Sequence, residues 1–235
     1  MINQATIALA CLFLATSVLA HQAEPSTALD FVPPAPGTYQ LQIIMQAPDG
    51  EVLDTAGEAR SLVDFTRDKL TLLGLIYTRC ADPDGCPRAT WAFSDVKRRL
   101  KAQRGLADRV RLVSLSFDPA HDTPDVLKRY GANARSGDRT IEWDFLTTTS
   151  PRQLAPILDG FGQDLRVPSE PADDATEPAF THTLKVFLID RQGRVREIYT
   201  TAFLMPQMIV NDIKTLLMEE QQTAHGRSIR QKPRQ

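Results

Sequence analysis

Residues 70–77, LTLLGLIY, form a continuous apolar run of strand length. A run without polar–apolar alternation is expected at the centre of a sheet that is covered on both faces. The flanking sequence supplies the cover. After Cys86, Pro87 suits the first position of a helix, where its missing N–H costs nothing. Ala89, Phe93, Val96 and Leu100 then recur as one apolar stripe, and Arg98, Arg99, Lys101 and Arg104 gather towards the helix end, complementing its dipole. Residues 110–117 (VRLVSLSF) predict the next strand, Thr123-Pro124-Asp125 opens a short helix that stops before Gly131, and 141–147 (IEWDFLT) predicts another strand. Ser150-Pro151 begins a helix containing Leu154, Ile157, Leu158 and Phe161. Residues 184–190 (LKVFLID) and 195–199 pair as a hairpin about Arg191-Gln192-Gly193-Arg194, and a final helix begins near Pro206. Upstream, YQLQIIM and EVLDT flank the turn Pro48-Asp49-Gly50 and predict a first hairpin.

That order is α/β, with right-handed crossovers between parallel strands, and it spans residues 39–220. Residues 21–38 are rich in Pro and Ala and read as a linker. Residues 163–181 lack periodicity, carry many Pro and acidic residues, and read as a long loop. From Gln221 to Gln235 apolar content is low and basic residues accumulate, so a disordered basic tail is expected. The formal net charge is −2 and the body holds no dense basic block, which argues against a nucleic-acid partner.

The amino terminus indicates a compartment. Residues 5–20, ATIALACLFLATSVLA, are apolar, end in small residues and precede a polar stretch, as in a secretory signal peptide cleaved after Ala20. No Lys or Arg precedes the run, and an uncleaved anchor is the second reading, although the run is short for a bilayer span. A lipoprotein signal at Ala8-Leu9-Ala10-Cys11 is weaker still. Export, periplasmic or tethered to a membrane through the N-terminus, is the expectation.

Cleavage would leave two of the three cysteines, Cys80 and Cys86, separated by five residues in YTRCADPDGCPRAT. Two cysteines are too few for a disulfide framework in a domain this large. A loop this short also gains little from cross-linking, because loop-closure entropy grows with length. Chemistry at the pair is the better reading. The two residues lie where the central strand hands over to its helix, the position of the active dithiol in a thioredoxin-like fold. There the helix dipole favours the thiolate that attacks disulfides or binds metal.

Four stretches carry a family resemblance: YTRC…CP at 77–87, SFDPAHDTPDVLKRYGA at 116–132, HTLKVFLIDRQGR at 182–194, and the ending with Asp212-Ile213 and Leu216-Leu217. Together they resemble the Sco/SenC family, thioredoxin-like copper chaperones of cytochrome c oxidase assembly. The resemblance implies a central mixed sheet flanked by helices, and a copper ion, Cu(I) or Cu(II), held by Cys80, Cys86 and His182. It also implies a copper-receiving partner such as a cytochrome c oxidase subunit. Soft thiolates select Cu(I) and an added imidazole suits Cu(II), so the donor set can serve both states. Asp118, in the matched DP-x-x-DTP segment, is a candidate to orient a ligand. One departure stands out: the family spaces its cysteines C-x3-C, whereas here the spacing is C-x5-C, so ADPDG bulges outward, brings Asp82 or Asp84 into the site, or costs the site its copper affinity.

Other readings remain open at this level. Cys80 and Cys86 could serve as the catalytic pair of a metal-independent thiol–disulfide oxidoreductase, and a thiol peroxidase shares the fold. His182 could be a satisfied core histidine and Asp118 a turn cap. His121 and His225 are expected in solvent, and His21 would be the mature N-terminus.

Overall fold

The computed structural model describes residues 31–103, 105–135, 140–166 and 180–230. The expected signal peptide or anchor, Cys11 and His21 lie outside those residues. In sequence order the elements are β1 (Met45–Gln46), β2 (Glu51–Leu53), β3 (Ala59–Ser61), α1 (Val63–Thr66), β4 (Leu70–Ile76), α2 (Cys86–Lys101), β5 (Val110–Ser116), α3 (Pro124–Tyr130), α4 (Ala132–Arg135), β6 (Glu142–Leu146), α5 (Pro151–Gly160), β7 (Leu165–Arg166), β8 (Thr181–His182), β9 (Lys185–Ile189), β10 (Arg194–Thr200) and α6 (Pro206–Arg230).

Six strands make the main sheet in the order β1-β10-β9-β4-β5-β6. β4, β5 and β6 run parallel, whereas β9, β10 and β1 join antiparallel, so the sheet is mixed and β4 is central. Every residue of β4 is buried, as its unbroken apolar run demands. Gly74 leaves room on one face for α2: a methyl placed there would stand 3.1 Å from the Phe93 ring. Tyr199 shares that face and reaches Asp212 of α6, so α2 and α6 cover the same side. Phe187 points the other way and packs against Phe161 at the end of α5, ring centroids 4.5 Å apart. This is the thioredoxin-like arrangement, helices on both faces of a mixed sheet.

Local signals set the helix starts. Thr123 accepts the Val126 N–H at the head of α3 and Ser150 accepts the Gln153 N–H at the head of α5, each followed by proline in the first turn. Gly131 ends α3 for a steric reason as much as a conformational one. A methyl group there would lie 2.6 Å from the buried Phe145 ring. Gly131→Ala is therefore expected to destabilise the protein by about 1–3 kcal/mol, read as a lower urea midpoint at unchanged slope.

Three expectations need correction. The upstream hairpin does not form: Met45 and Gln46 pair with Val195 and Arg194 at the sheet edge, while Glu51–Leu53 pairs with Ala59–Ser61. The Asp49 carboxylate decides this, since it accepts the Gly50 N–H, the Ser61 hydroxyl and the Val63 N–H and folds the turn forward. The end of the Pro-rich stretch is tied down. Asn211 donates to the Pro34 carbonyl at 2.8 Å, the Gly37 N–H donates to Thr215 at 3.0 Å, and the Tyr39 hydroxyl donates to Asp212. Finally, α6 continues through Arg230, past the Gln221 where a disordered tail was expected. Residues such as Met218, Glu219, Glu220, Gln221 and Gln222 favour helix and let a packed helix propagate outward. No helix among the described residues is long and apolar enough to cross a membrane.

Candidate metal centre

The sheet brings the three sequence-predicted residues to one edge. β4 ends at Ile76, and its neighbour β9 runs antiparallel with Gly74 opposite Val186, so the start of β9 lies beside the end of β4. His182, just before β9, therefore reaches the edge at which the Tyr77–Cys86 segment leaves the sheet. A cavity of about 350 Å³ opens there, lined by Tyr77, Cys80, Asp82, Asp84, Phe180 and His182 among others.

Both cysteines are free thiols. Cys86 is the first residue of α2, buried, and its Sγ accepts the Tyr77 N–H at 3.4 Å. Cys80 is half-buried beside it, with its side chain in hydrogen-bonding reach of the Cys86 thiol. Burial pushes the Cys86 thiol well up, and the Cys80 charge adds to this, while the Tyr77 N–H offsets only part. The helix dipole alone thus does not make Cys86 a resting thiolate, contrary to the reading from position. A cationic partner at the site is needed to draw off the Cys86 proton. The same crowding reaches Tyr77, whose hydroxyl is pushed up to about 12 by burial and by its bond to the Cys80 sulfur.

ADPDG folds outward as a closed turn. The Gly85 N–H donates to the Asp82 carbonyl at 3.0 Å, the Asp84 N–H donates to the Asp82 carboxylate at 3.0 Å, and residues 81–84 are exposed. Gly85 packs the turn closely against the first sulfur: a methyl there would sit 3.1 Å from Cys80 Sγ. The five-residue spacing therefore bulges into solvent while both sulfurs still meet at the head of α2.

His182 belongs to a second small ladder, pairing with Leu165 while Thr181 pairs with Arg166. Both ends of the expected 163–181 loop are thus clamped together. The imidazole packs edge-on against Phe117 at 4.7 Å, and Tyr77 and Phe180 complete an aromatic wall. Its Nδ1 is buried and has no hydrogen-bond partner among the described residues. Burial pushes the His182 pKa down, against the Thr183 backbone and the Asp82 charge, which raise it. A neutral imidazole with an unused nitrogen is a metal donor in waiting, which a satisfied core histidine is not. Among the described residues, no group of three or more His, Cys, Asp or Glu side chains already stands at ligand distance. Cys80 and Cys86 lie within reach of one another, and His182 lines the same cavity as Cys80.

The DP-x-x-DTP segment acts on the loop and not on His182. Asp118, buried, binds the Arg79 guanidinium at 2.8 Å. Asp122, fully buried, accepts the Thr78 N–H at 2.9 Å together with the Thr78 and Ser116 hydroxyls. The two carboxylates thus pin the two residues directly before Cys80. Asp118 positions a neighbour of a thiol, one step further out than expected, and Asp122 was missed. The motif's second Asp is the one sequence signal that marks it. His121 is exposed, as expected, and the His225 side chain lies outside the described residues.

Comparison with known proteins fits this geometry. Residues 47–218 match the family model described as SCO1/SenC. The SCO1 protein homolog of Bacillus subtilis (strain 168) is 29% identical over 156 residues, covering 65% of this chain and 74% of that protein. The copper-bound structure of Bradyrhizobium japonicum ScoI is 25% identical with a TM-score of 0.57, covering 72% of this chain and 98% of that one. Apo Sco1 from Thermus thermophilus, also 25% identical, superposes with a TM-score of 0.58 over 77% of this chain and 95% of that one. The family match takes in the central strands, the dithiol turn and His182 alike, and the protein belongs to the SCO1/SenC family.

Proposed function

We propose that this protein is an exported copper carrier that holds copper as cargo on Cys80, Cys86 and His182. It delivers the ion to the dithiol of a copper enzyme outside the cytoplasm, cytochrome c oxidase being the foremost candidate, or keeps that enzyme's copper-site cysteines reduced. One observation carries the reading: of two free thiols in mutual reach, Cys80 lines an edge cavity together with His182, whose buried imidazole nitrogen has no partner among the described residues. The donors suit copper, because thiolates select Cu(I) and the imidazole extends the set to Cu(II). The copper-bound Bradyrhizobium relative supports the same cargo. Exposed turn residues on one side of the thiols leave an approach for a partner dithiol, to which the ion passes by ligand exchange.

His182→Ala tests the assigned set. The variant is expected to lose the Cu(II)–thiolate absorption, and its Cu(II) affinity is expected to fall at least about tenfold, since even outer-shell changes have effects of that size. Unchanged absorption and affinity would show that the imidazole is not a ligand.

A metal-independent thiol–disulfide oxidoreductase is the second reading. It is favoured by the half-exposed Cys80 beside the buried Cys86, an attacking and a resolving thiol in contact. The upward push on Cys86 weighs against it, because exchange needs a ready thiolate.

A further inference from the structure

A larger cavity, about 660 Å³, opens where β9 ends and Asp190 begins the turn to β10, at the sheet edge opposite the thiols. Four carboxylates and three guanidiniums line it, and Leu216 and Thr223 of α6 add carbon surface. Mixed charge of this kind can close on itself as ion pairs, but here it does so incompletely. Arg196 is nine-tenths buried and gives its terminal nitrogens to Asp190 at 3.2 Å, to Glu219 at 2.8 Å and to the Leu41 carbonyl. Its buried Nε–H has no hydrogen-bond partner among the described residues. Glu219 spends one oxygen on Arg196, and Glu220 spends one on Arg109 at 2.8 Å, while the Oε1 atom of each has no partner among the described residues. One donor and two acceptors are thus left over on side chains of a single cavity. The last torsion of a glutamate is broad and two-fold, so either oxygen can turn to the cavity within the same rotamer. Each unpaired group carries its desolvation cost until a ligand meets it.

We propose that this cavity binds a zwitterionic α-amino acid. The ligand's ammonium donates to Glu219 and Glu220, and its carboxylate accepts from Arg196, with the half-exposed Arg191 and Arg194 at the rim. An aliphatic side chain lies along Leu216. Neither charge alone fits the wall: an anion meets four carboxylates and a cation meets three guanidiniums, whereas a zwitterion answers both signs and adds no net charge. A metal ion is the wrong ligand, since no group of three or more His, Cys, Asp or Glu side chains among the described residues could hold one. The proposal gives the protein a second ligand at the other end of β9, and it does not depend on the copper reading.

Titration of the isotope-labelled full-length protein by nuclear magnetic resonance, read on the backbone amides of Gln192, Glu219, Glu220 and Thr223, provides the test. L-Leucine is expected to saturate with roughly millimolar affinity, a range open to a ligand of its size. L-Leucinamide keeps only the ammonium and N-acetyl-L-leucine keeps only the carboxylate. Each is expected to bind at least about tenfold more weakly, as the loss of charged hydrogen bonds implies. Glu220→Gln should weaken leucine by a similar factor. Thr223→Trp, a change at an exposed helix position that fills the cavity with an indole, should abolish binding while circular dichroism shows the fold intact. Equal binding of leucine and either blocked form would make this a plain cation or anion site and overturn the proposal. Absence of saturation, or a leucine affinity that neither variant moves, would overturn it as well.

Discussion

Cys86→Ser is expected to abolish useful Cu(I) binding, lowering affinity by more than the roughly 10–100-fold seen for outer-shell substitutions around metals. The reason lies in where the sulfur sits. Cys86 opens α2 with its Sγ facing the Tyr77 N–H, buried against the end of β4, and so it is the fixed donor of the pair. Burial holds its proton until a cation arrives, which makes copper uptake a proton-releasing event. A serine hydroxyl fits the same space but is too hard and too weakly acidic to replace a thiolate on Cu(I). The fold should survive, because oxygen for sulfur at a helix start changes volume little. A chelator competition with Cu(I) reads the loss, and circular dichroism checks the fold. Cys80→Ser should show a loss of the same order, since both sulfurs are needed for a two-coordinate soft site.

The second large effect concerns a residue with no role as a ligand. Asp122→Ala is expected to destabilise the protein by about 3–4 kcal/mol, because a buried carboxylate with three donors is removed and those donors are left facing apolar space. Thr78 loses the acceptor for both its N–H and its hydroxyl, and Ser116 loses its own. The segment from Thr78 to Cys80 is then held mainly by the Arg79–Asp118 pair. Copper affinity should drop about tenfold as the Cys80 sulfur loses its fixed place. Urea denaturation reads the first effect, and titration at low temperature, where the variant is still folded, reads the second. Asp118→Ala should be milder in stability, because its Arg79 partner is partly solvated and can turn to water.

These two residues also mark what could be read from the sequence. The centre of the fold was legible because its elements are locally complete. LTLLGLIY declares a doubly covered strand, Pro87 with the stripe from Ala89 to Leu100 declares α2, and Thr123-Pro124 and Ser150-Pro151 declare two helix starts. What escaped depends on partners distant in the sequence. Met45 pairs with Val195 and not across its own turn, and Tyr39 and Gly37 are held by Asp212 and Thr215 of α6. No local period encodes such choices, and in the first case the Asp49 carboxylate, one side chain, settled them. At the site, the residue types and their order pointed to Cys80, Cys86 and His182, and the antiparallel β9 explains why they share an edge. The outward path of ADPDG, the aromatic wall about His182 and the grip of Asp122 on Thr78 are three-dimensional facts with no spacing rule behind them.

The most direct test of the copper-carrier account is the stoichiometry of the reduced protein. The full-length Cys11→Ser variant, which keeps only Cys80 and Cys86 as thiols, is reduced, loaded anaerobically with excess Cu(I) and desalted. One retained copper per molecule, lost on blocking the two thiols, is the predicted result. A protein that retains no copper yet reduces protein disulfides catalytically, indifferent to chelators, would contradict the account and make it a thiol–disulfide oxidoreductase.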